Sequence, residues 1–146
     1  MTIREARPSD GDDLLDIWLR SVRATHTFLT EDDIQSLLPL VRDAALPSLE
    51  LWVLASDDGT PVGFMGLDGA KVEALFIAPE WLRRGGGRQL LDHARSLKGR
   101  LRVDVNGQNP EALRFYEAYG FAVVGRSEVD DGGRPFPLLH LREPGA

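Results

Sequence analysis

The chain contains no cysteine, which excludes a disulfide framework, a thiol nucleophile and every cysteine-based metal site. Histidine is scarce too: His26, His93 and His140 are scattered and fit no zinc-ligand spacing, so no metal is expected. Long apolar runs are missing. Nothing approaches the roughly 20 consecutive apolar residues of a membrane span, and Met1-Thr2-Ile3-Arg4-Glu5 lacks the apolar stretch of a secretion signal. A cytoplasmic protein with no membrane partner is the expectation. Positive charge is in deficit, with 17 Lys+Arg against 23 Asp+Glu and a net charge of −6, which disfavours nucleic acid as a partner. What is present, 146 residues that are 42% apolar and 27% charged, suits a single domain over residues 1–146 with a real core.

Against that acidic background one segment stands apart, Leu75-Phe76-Ile77-Ala78-Pro79-Glu80-Trp81-Leu82-Arg83-Arg84-Gly85-Gly86-Gly87-Arg88-Gln89-Leu90-Leu91. It runs from an apolar strand through a Pro-marked turn into three glycines at the start of a helix. Glycines there remove side chains from the path of an anion, and the free N–H groups and dipole of the helix start attract it. Arg83, Arg84 and Arg88 surround the opening, so the segment reads as a pyrophosphate cradle for a nucleotide-type cofactor. It is no Walker loop, because Gly87 is followed by Arg88 and Gln89 rather than by Lys and Ser/Thr. The Rossmann fingerprint fails as well, since Leu90 stands where its third glycine belongs. Taken alone, an Arg-flanked glycine turn also serves simply to join a strand to a helix.

Periodicity supplies the rest of the frame. Strands are expected at Ile3 to Arg7, Leu51 to Ala55, Pro61 to Leu67, Lys71 to Ile77, Leu101 to Val105, Phe121 to Arg126 and Pro137 to Leu141, with Asp57-Asp58-Gly59 as a hairpin turn. Asp10 is positioned to cap a helix carrying Leu14, Leu15, Ile17, Trp18 and Val22 at helical spacing. A second helix should run from Glu31 to Ala45 with a kink at Pro39. A third should span Gly87 to Leu97 and turn Leu90, Leu91, Ala94 and Leu97 to the core. A fourth follows Asn109, whose Asn-Pro start is a good cap, and stops at Gly120. This order predicts an α/β fold of the α+β kind, a mixed sheet with helices on both faces.

About twenty residues beyond the cradle stands Asn109-Pro110-Glu111-Ala112-Leu113-Arg114-Phe115-Tyr116-Glu117-Ala118-Tyr119-Gly120-Phe121. Joined in this order, the two segments resemble the GNAT superfamily of acetyl-coenzyme A-dependent N-acetyltransferases, closely from Val72 to Phe121 and in general layout elsewhere. Ser21 to His26 and Gly125 to Asp131 look like segments of small bacterial members. The resemblance implies a mostly antiparallel sheet of six to seven strands. It further implies acetyl-coenzyme A as co-substrate and direct transfer of acetyl to a primary amine in a ternary complex.

On that resemblance Arg83, Arg84, Gly85, Gly86, Gly87 and Arg88 would hold the pyrophosphate. Leu75, Phe76 and Ile77 would offer strand backbone, splayed from its neighbour, to the pantetheine arm and the acetyl carbonyl. Tyr116 would act as general acid beside Asn109, although Phe115 and Tyr119 show that a purely packing role is open to it. Glu73 is the candidate base, directly or through a water, or else a solvated strand carboxylate. Two departures from the family pattern concern the cradle: Leu82 stands where Gln or Arg is common, and Gly86 replaces an apolar or branched residue, which should loosen the turn. The acceptor is expected between the first two helices and the last hairpin, with Thr25, His26 and Phe28 on one side and Glu128, Asp130 and Asp131 on the other. Carboxylates and an aromatic there suggest a small-molecule cationic amine. A protein N-terminus or lysine, or a non-catalytic acyl-coenzyme A sensor, are the alternatives, and the protein is expected as a monomer or homodimer.

Overall fold

A computed structural model describes residues 1–144. In chain order the elements are β1 (Thr2–Glu5), α1 (Gly11–Thr25), α2 (Glu31–Leu40), a π-helical turn at Val41–Ala45, α3 (Leu46–Ser48), β2 (Glu50–Ala55), β3 (Pro61–Asp68), β4 (Lys71–Ile77), α4 (Gly86–Lys98), β5 (Arg102–Asn106), α5 (Pro110–Tyr119), β6 (Ala122–Ser127) and β7 (Leu138–Arg142). The seven strands form one sheet in the order β1-β2-β3-β4-β5-β7-β6. Every pair is antiparallel except β4–β5.

Alternation along the central strands builds two cores, one on each face. Val53 and Phe64 point to the face covered by Leu14, Ile17, Trp18 and Val22 of α1 and Ile34 of α2. Their neighbours Leu54 and Met65 point to the opposite face, where Leu90, Leu91 and Ala94 of α4 and Tyr116 of α5 pack. Leu97, expected in that core, is 48% exposed. In the last turn of α4 the sheet side is taken by Ala94 and by Lys98, whose Nζ reaches Glu50 Oε1 at 2.9 Å.

Two helix starts differ in how they are capped. Thr30 and Asp33 cap α2 reciprocally, side chain to backbone in both directions at 3.1 and 2.9 Å. Asp10 does not cap α1. Its carboxylate instead accepts from the Arg7 N–H at 2.6 Å and takes both Arg4 guanidinium nitrogens at 2.8 and 2.9 Å, tying β1 to a short helical turn at Pro8–Asp10. The expected helix from Glu31 to Ala45 is continuous, but past Pro39, which has no N–H to give, it widens into the π turn.

The feature that creates the site is a bulge in β4. Gly66 pairs with Ala74 and Leu67 with Val72, so Glu73 has no residue opposite it on β3. The extra residue reverses which face each following side chain meets: Val72 joins the α4–α5 core and Ala74 joins the α1–α2 core. A bulged strand bends and loses pairing. Accordingly β4 meets β5 only at Lys71–Arg102 and Val72–Val103, and beyond them the two strands part.

Candidate active site

At the entrance to α4, Arg83 (φ 63°) and Gly85 (φ 82°) are both left-handed, and this turns the chain sharply into the helix. The first intrahelical bond there runs from the Gln89 N–H to the Gly85 carbonyl at 3.0 Å. The N–H groups of Gly86, Gly87 and Arg88 precede it and face outward without a helical partner. No side chain caps this end and no acidic residue occupies its first turn, so the site is free for an external anion. The two glycines inside the helix do different work. A Cβ on Gly86 would stand 2.7 Å from Leu54 Cδ2, so this buried glycine draws α4 tightly onto the sheet; the expectation of a looser turn is corrected. A Cβ on Gly87 would stand 2.9 Å from the Phe115 ring.

A cleft of about 670 Å³ runs from this turn along the parted edge of β4 to α5. Leu75, Phe76 and Ile77 line it from β4, Arg83, Gly85, Gly86, Gly87 and Arg88 from the turn, and Asn109, Phe115 and Tyr116 from α5 and its cap. Arg84, expected here, lies over the Trp81 ring at 4.7 Å and is not among the lining residues. Arg88 lies 5.7 Å over the Tyr119 ring. Among the described residues neither Arg83 nor Arg88 is paired with a carboxylate, which leaves their charge to a ligand. The free N–H groups, the missing Cβ atoms and these arginines together fit a pyrophosphate.

A second cleft, of about 130 Å³, opens between β4 and β5 and carries Glu73, Asp104 and Asn106. His26, Leu75, Phe76, Asn109, Ala112 and Tyr116 line both clefts, so the two meet at these residues. Asn109 Oδ1 accepts from the Ala112 N–H at 3.2 Å, so it caps α5 and lines the junction at once. Tyr116 packs edge-on against Phe115 and Phe121, at centroid distances of 5.1 and 5.5 Å. Burial alone pushes its hydroxyl well above the ordinary tyrosine value. It therefore stays protonated throughout the neutral range.

Glu73 is not a free carboxylate. Lys71 Nζ lies 2.8 Å from Glu73 Oε1 and 3.0 Å from Asp104 Oδ2. Asp104 Oδ1 meets His140 Nδ1 at 2.6 Å, and His140 Nε2 meets Ser127 Oγ at 2.7 Å. Burial raises the Asp104 carboxyl, but the hydrogen bonds from His140 and Lys71 outweigh it and hold the group below the usual carboxylate value. This chain of groups was not foreseen. The alternation Val103-Asp104-Val105 marks Asp104 as a polar-face residue, but only the insertion of β7 between β5 and β6 sets His140 beside it.

On the acceptor side, Thr25 and His26 line the larger cleft. Phe28 stands behind them, its ring 5.4 Å from His26 and 6.3 Å from Phe136, which joins the α1–α2 loop to the β6–β7 loop. Asp130, expected on the acceptor side, lines neither cleft. Its carboxylate accepts from the Gly132 and Arg134 N–H groups at 2.9 and 2.8 Å and so holds the β6–β7 loop closed. Glu128 is paired with Arg126 at 3.0 Å, and neither it nor Asp131 lines a cleft.

The model of the GNAT acetyltransferase domain matches residues 39–138. The chain belongs to the GNAT acetyltransferase family. Its fold and function follow: it is an N-acetyltransferase with acetyl-coenzyme A as co-substrate. It is 47% identical over 146 residues to the peptidyl-lysine N-acetyltransferase YjaB of Escherichia coli, across 100% of this chain and 99% of that one. A second E. coli peptidyl-lysine N-acetyltransferase, YiaC, is 34% identical over 134 residues, 91% of each chain. The solution structure of apo YjaB from E. coli superposes with a TM-score of 0.90, covering 99% of this chain and 98% of that one at 47% identity. Among the described residues of the acetyltransferase no group of metal-binding side chains gathers, and no helix is long and apolar enough to cross a membrane.

Proposed function

We propose that this acetyltransferase modifies lysine side chains of proteins, and that the acceptor lysine enters by the cleft between β4 and β5. One observation carries the reading: an opening of about 130 Å³, carrying Glu73 and Asp104, meets the cofactor-sized cleft at Tyr116. Its size suits an unbranched alkyl ammonium rather than a sugar or a ring system. Glu73 and Asp104 bring two negative charges and Lys71 one positive, so the mouth is one negative charge in excess and an incoming ammonium balances it. The kinship with two peptidyl-lysine N-acetyltransferases supports the same acceptor over the small-molecule amine suggested by the sequence.

Acetyl-coenzyme A, when bound, supplies an acetyl group activated as a thioester. The N–H groups of Gly86, Gly87 and Arg88 hold its pyrophosphate, with Arg83 and Arg88 adding charge. Beyond the bulge, the β4 backbone at Leu75, Phe76 and Ile77 has no strand partner on its β5 side. Its free groups would hold the pantetheine arm, and an N–H among them would stabilise the oxygen on which charge develops. Tyr116 donates a hydrogen bond to the departing sulfur. Tyrosine ordinarily titrates near ~10 and a thiol near ~8.5, so full transfer is uphill by about 2 kcal/mol, and burial steepens it. Partial donation at the moment of cleavage is the step the residue performs. Glu73, tied to Lys71, contributes attraction for the ammonium.

The test is intact-mass and peptide mass spectrometry with acetyl-coenzyme A and a panel of amines. The panel holds a lysine peptide, the same peptide with its lysine blocked and its N-terminus free, a polyamine and an aminoglycoside. Acetylation at the lysine ε-amine is the expected outcome. Turnover of the polyamine with none of the lysine peptide would overturn the acceptor assignment.

A further inference from the structure

A lysine side chain ordinarily titrates near ~10.4, so the acceptor arrives as an ammonium and must lose a proton before its nitrogen can attack. We propose that Nε2 of His26 takes that proton, with Thr25 as the positioning residue that fixes the histidine tautomer. The assignment rests on amine acetyltransfer at this cleft, whichever primary amine is the acceptor.

The tautomer follows from counting protons. Thr25 Oγ1 lies 2.7 Å from the Ser21 carbonyl oxygen and 2.8 Å from His26 Nδ1. A carbonyl only accepts, so the single hydroxyl proton of Thr25 is committed to Ser21. The contact with His26 then requires an Nδ1–H donating to the Thr25 oxygen, and in the neutral ring this leaves Nε2 with its lone pair. Ser21 belongs to the last turns of α1 and is 5% exposed, so the anchor of the arrangement is fixed. Nε2 has no hydrogen-bond partner among the described residues. Nor is it sealed off: the buried, unpaired side-chain polar atom among the described residues is Nε2 of His93, not that of His26. His26 lines both clefts, at the junction where acceptor and thioester meet.

Burial, and not the surrounding charge, keeps the ring neutral. Glu73 from β4, Asp104 from β5 and Tyr116 from α5 share its clefts, while Lys71 lies between the two carboxylates. On its own helix, Arg23 is paired with Glu31 of α2. Burial against the Phe28 and Phe76 rings lowers the His26 ring below its ordinary value, with no offsetting charge. The proton balance closes as follows. His26 Nε2 takes one proton from the ammonium, and the C–N bond then forms while the C–S bond breaks. The second proton lost by nitrogen replaces the one that Tyr116 gives to sulfur. The products are the acetylated amine, coenzyme A and one proton, which His26 releases to water.

Two measurements test this. The first needs no cofactor: long-range proton–nitrogen NMR of labelled protein should find His26 protonated at Nδ1 and bare at Nε2. Thr25→Val should dissolve that preference and Thr25→Ser should restore it; a protonated Nε2 in the neutral wild-type ring would overturn the proposal. The second is the pH profile of kcat/KM with the best amine of the panel. With His26 as base the profile rises to an inflection below about 6.5 and is then flat until the free amine becomes abundant. His26→Gln should lower the flat region roughly 10²-fold and replace it with a rise of about tenfold per pH unit, because only amine already deprotonated in solution can react. Coenzyme A affinity, measured by calorimetry, should stay within about twofold, since the cradle lies on α4. A His26→Gln profile that keeps both the flat region and the rate would overturn the proposal. Failure of the lysine peptide alone would not, since the same profile is then taken with the amine that is turned over.

Discussion

Tyr116 and Asp10 are both titratable and both nearly buried, and their surroundings move them in opposite directions for opposite ends. Burial is what moves Tyr116, and it favours the neutral form; the group leaves stability unchanged below about pH 10 and lowers it as the pH rises further. Tyr116→Phe keeps the ring and its packing but removes the proton. Stopped or steady-state assays should show kcat down roughly 10²-fold with coenzyme A affinity nearly unchanged; equal turnover would make Tyr116 a packing residue alone. Asp10 instead has a guanidinium. The hydrogen bonds from Arg4, with the Arg7 N–H, overcome burial and hold its carboxyl at about 2. That depressed value gives stability that is complete above the unfolded carboxylate value near ~3.9 and is lost as the pH falls through about 2. Asp10→Asn should cost about 2 kcal/mol in denaturant titrations at pH 7, because it leaves Arg4 without its charged partner, and the variant should lose less than the wild type on acidification. The sequence showed Asp10 as a polar residue before a helix, which is true of a cap and of an ion-pair anchor alike. Only the return of β1 past the helix start decides between them.

At the level of elements, the strands and helices were legible because each has one apolar face with a clear period, and Asn109-Pro110 and Gly120 mark the ends of α5 by chemistry that is local. The bulge in β4 was not. Val72, Ala74 and Phe76 look like one face of a regular strand, and nothing in their order says that Glu73 is the residue without a partner. The glycine turn shows the same limit, since three consecutive glycines cannot be told apart by composition. Their surroundings separate them. Gly86→Ala presses on Leu54, which has no exposed surface, so the loss should appear as stability, about 1–3 kcal/mol by thermal or denaturant unfolding. Gly87→Ala presses on the Phe115 ring, which is 37% exposed and able to move, so stability should change by less than about 1 kcal/mol. Moving that ring reshapes the cleft it lines, and the loss should appear in calorimetry as weaker coenzyme A binding. A reversed pattern, with Gly87→Ala unfolding the protein and Gly86→Ala harmless, would show that α4 is not held to the sheet through Gly86.

Over the whole molecule the two charge patterns compete, and coenzyme A, itself an anion, must approach a protein of net charge −6. Distance decides which pattern governs. At about 0.15 M salt the Debye length is about 8 Å, so charges spread over the rest of the surface are largely screened at the cradle while Arg83 and Arg88 act at contact range. The strand order that brings α5 and the acidic mouth of the second cleft together lies outside sequence periodicity. It comes from β5 lying beside β4 and parting from it beyond Val72, and it puts Glu73 and Asp104 on the far side of the Tyr116 junction from the arginines. The two signs of charge are thereby separated along one path, positive at one end and negative at the other. Coenzyme A affinity should therefore weaken as salt rises, despite the protein's net negative charge. Arg83→Ala and Arg88→Ala should each lower the affinity several-fold and flatten that dependence, whereas Arg84→Ala, whose guanidinium lies on Trp81, should do neither to the same degree. Calorimetry from about 0.05 to 0.5 M salt checks this. An affinity that rises with salt in the wild type would mean that net charge, and not the cradle, sets the encounter.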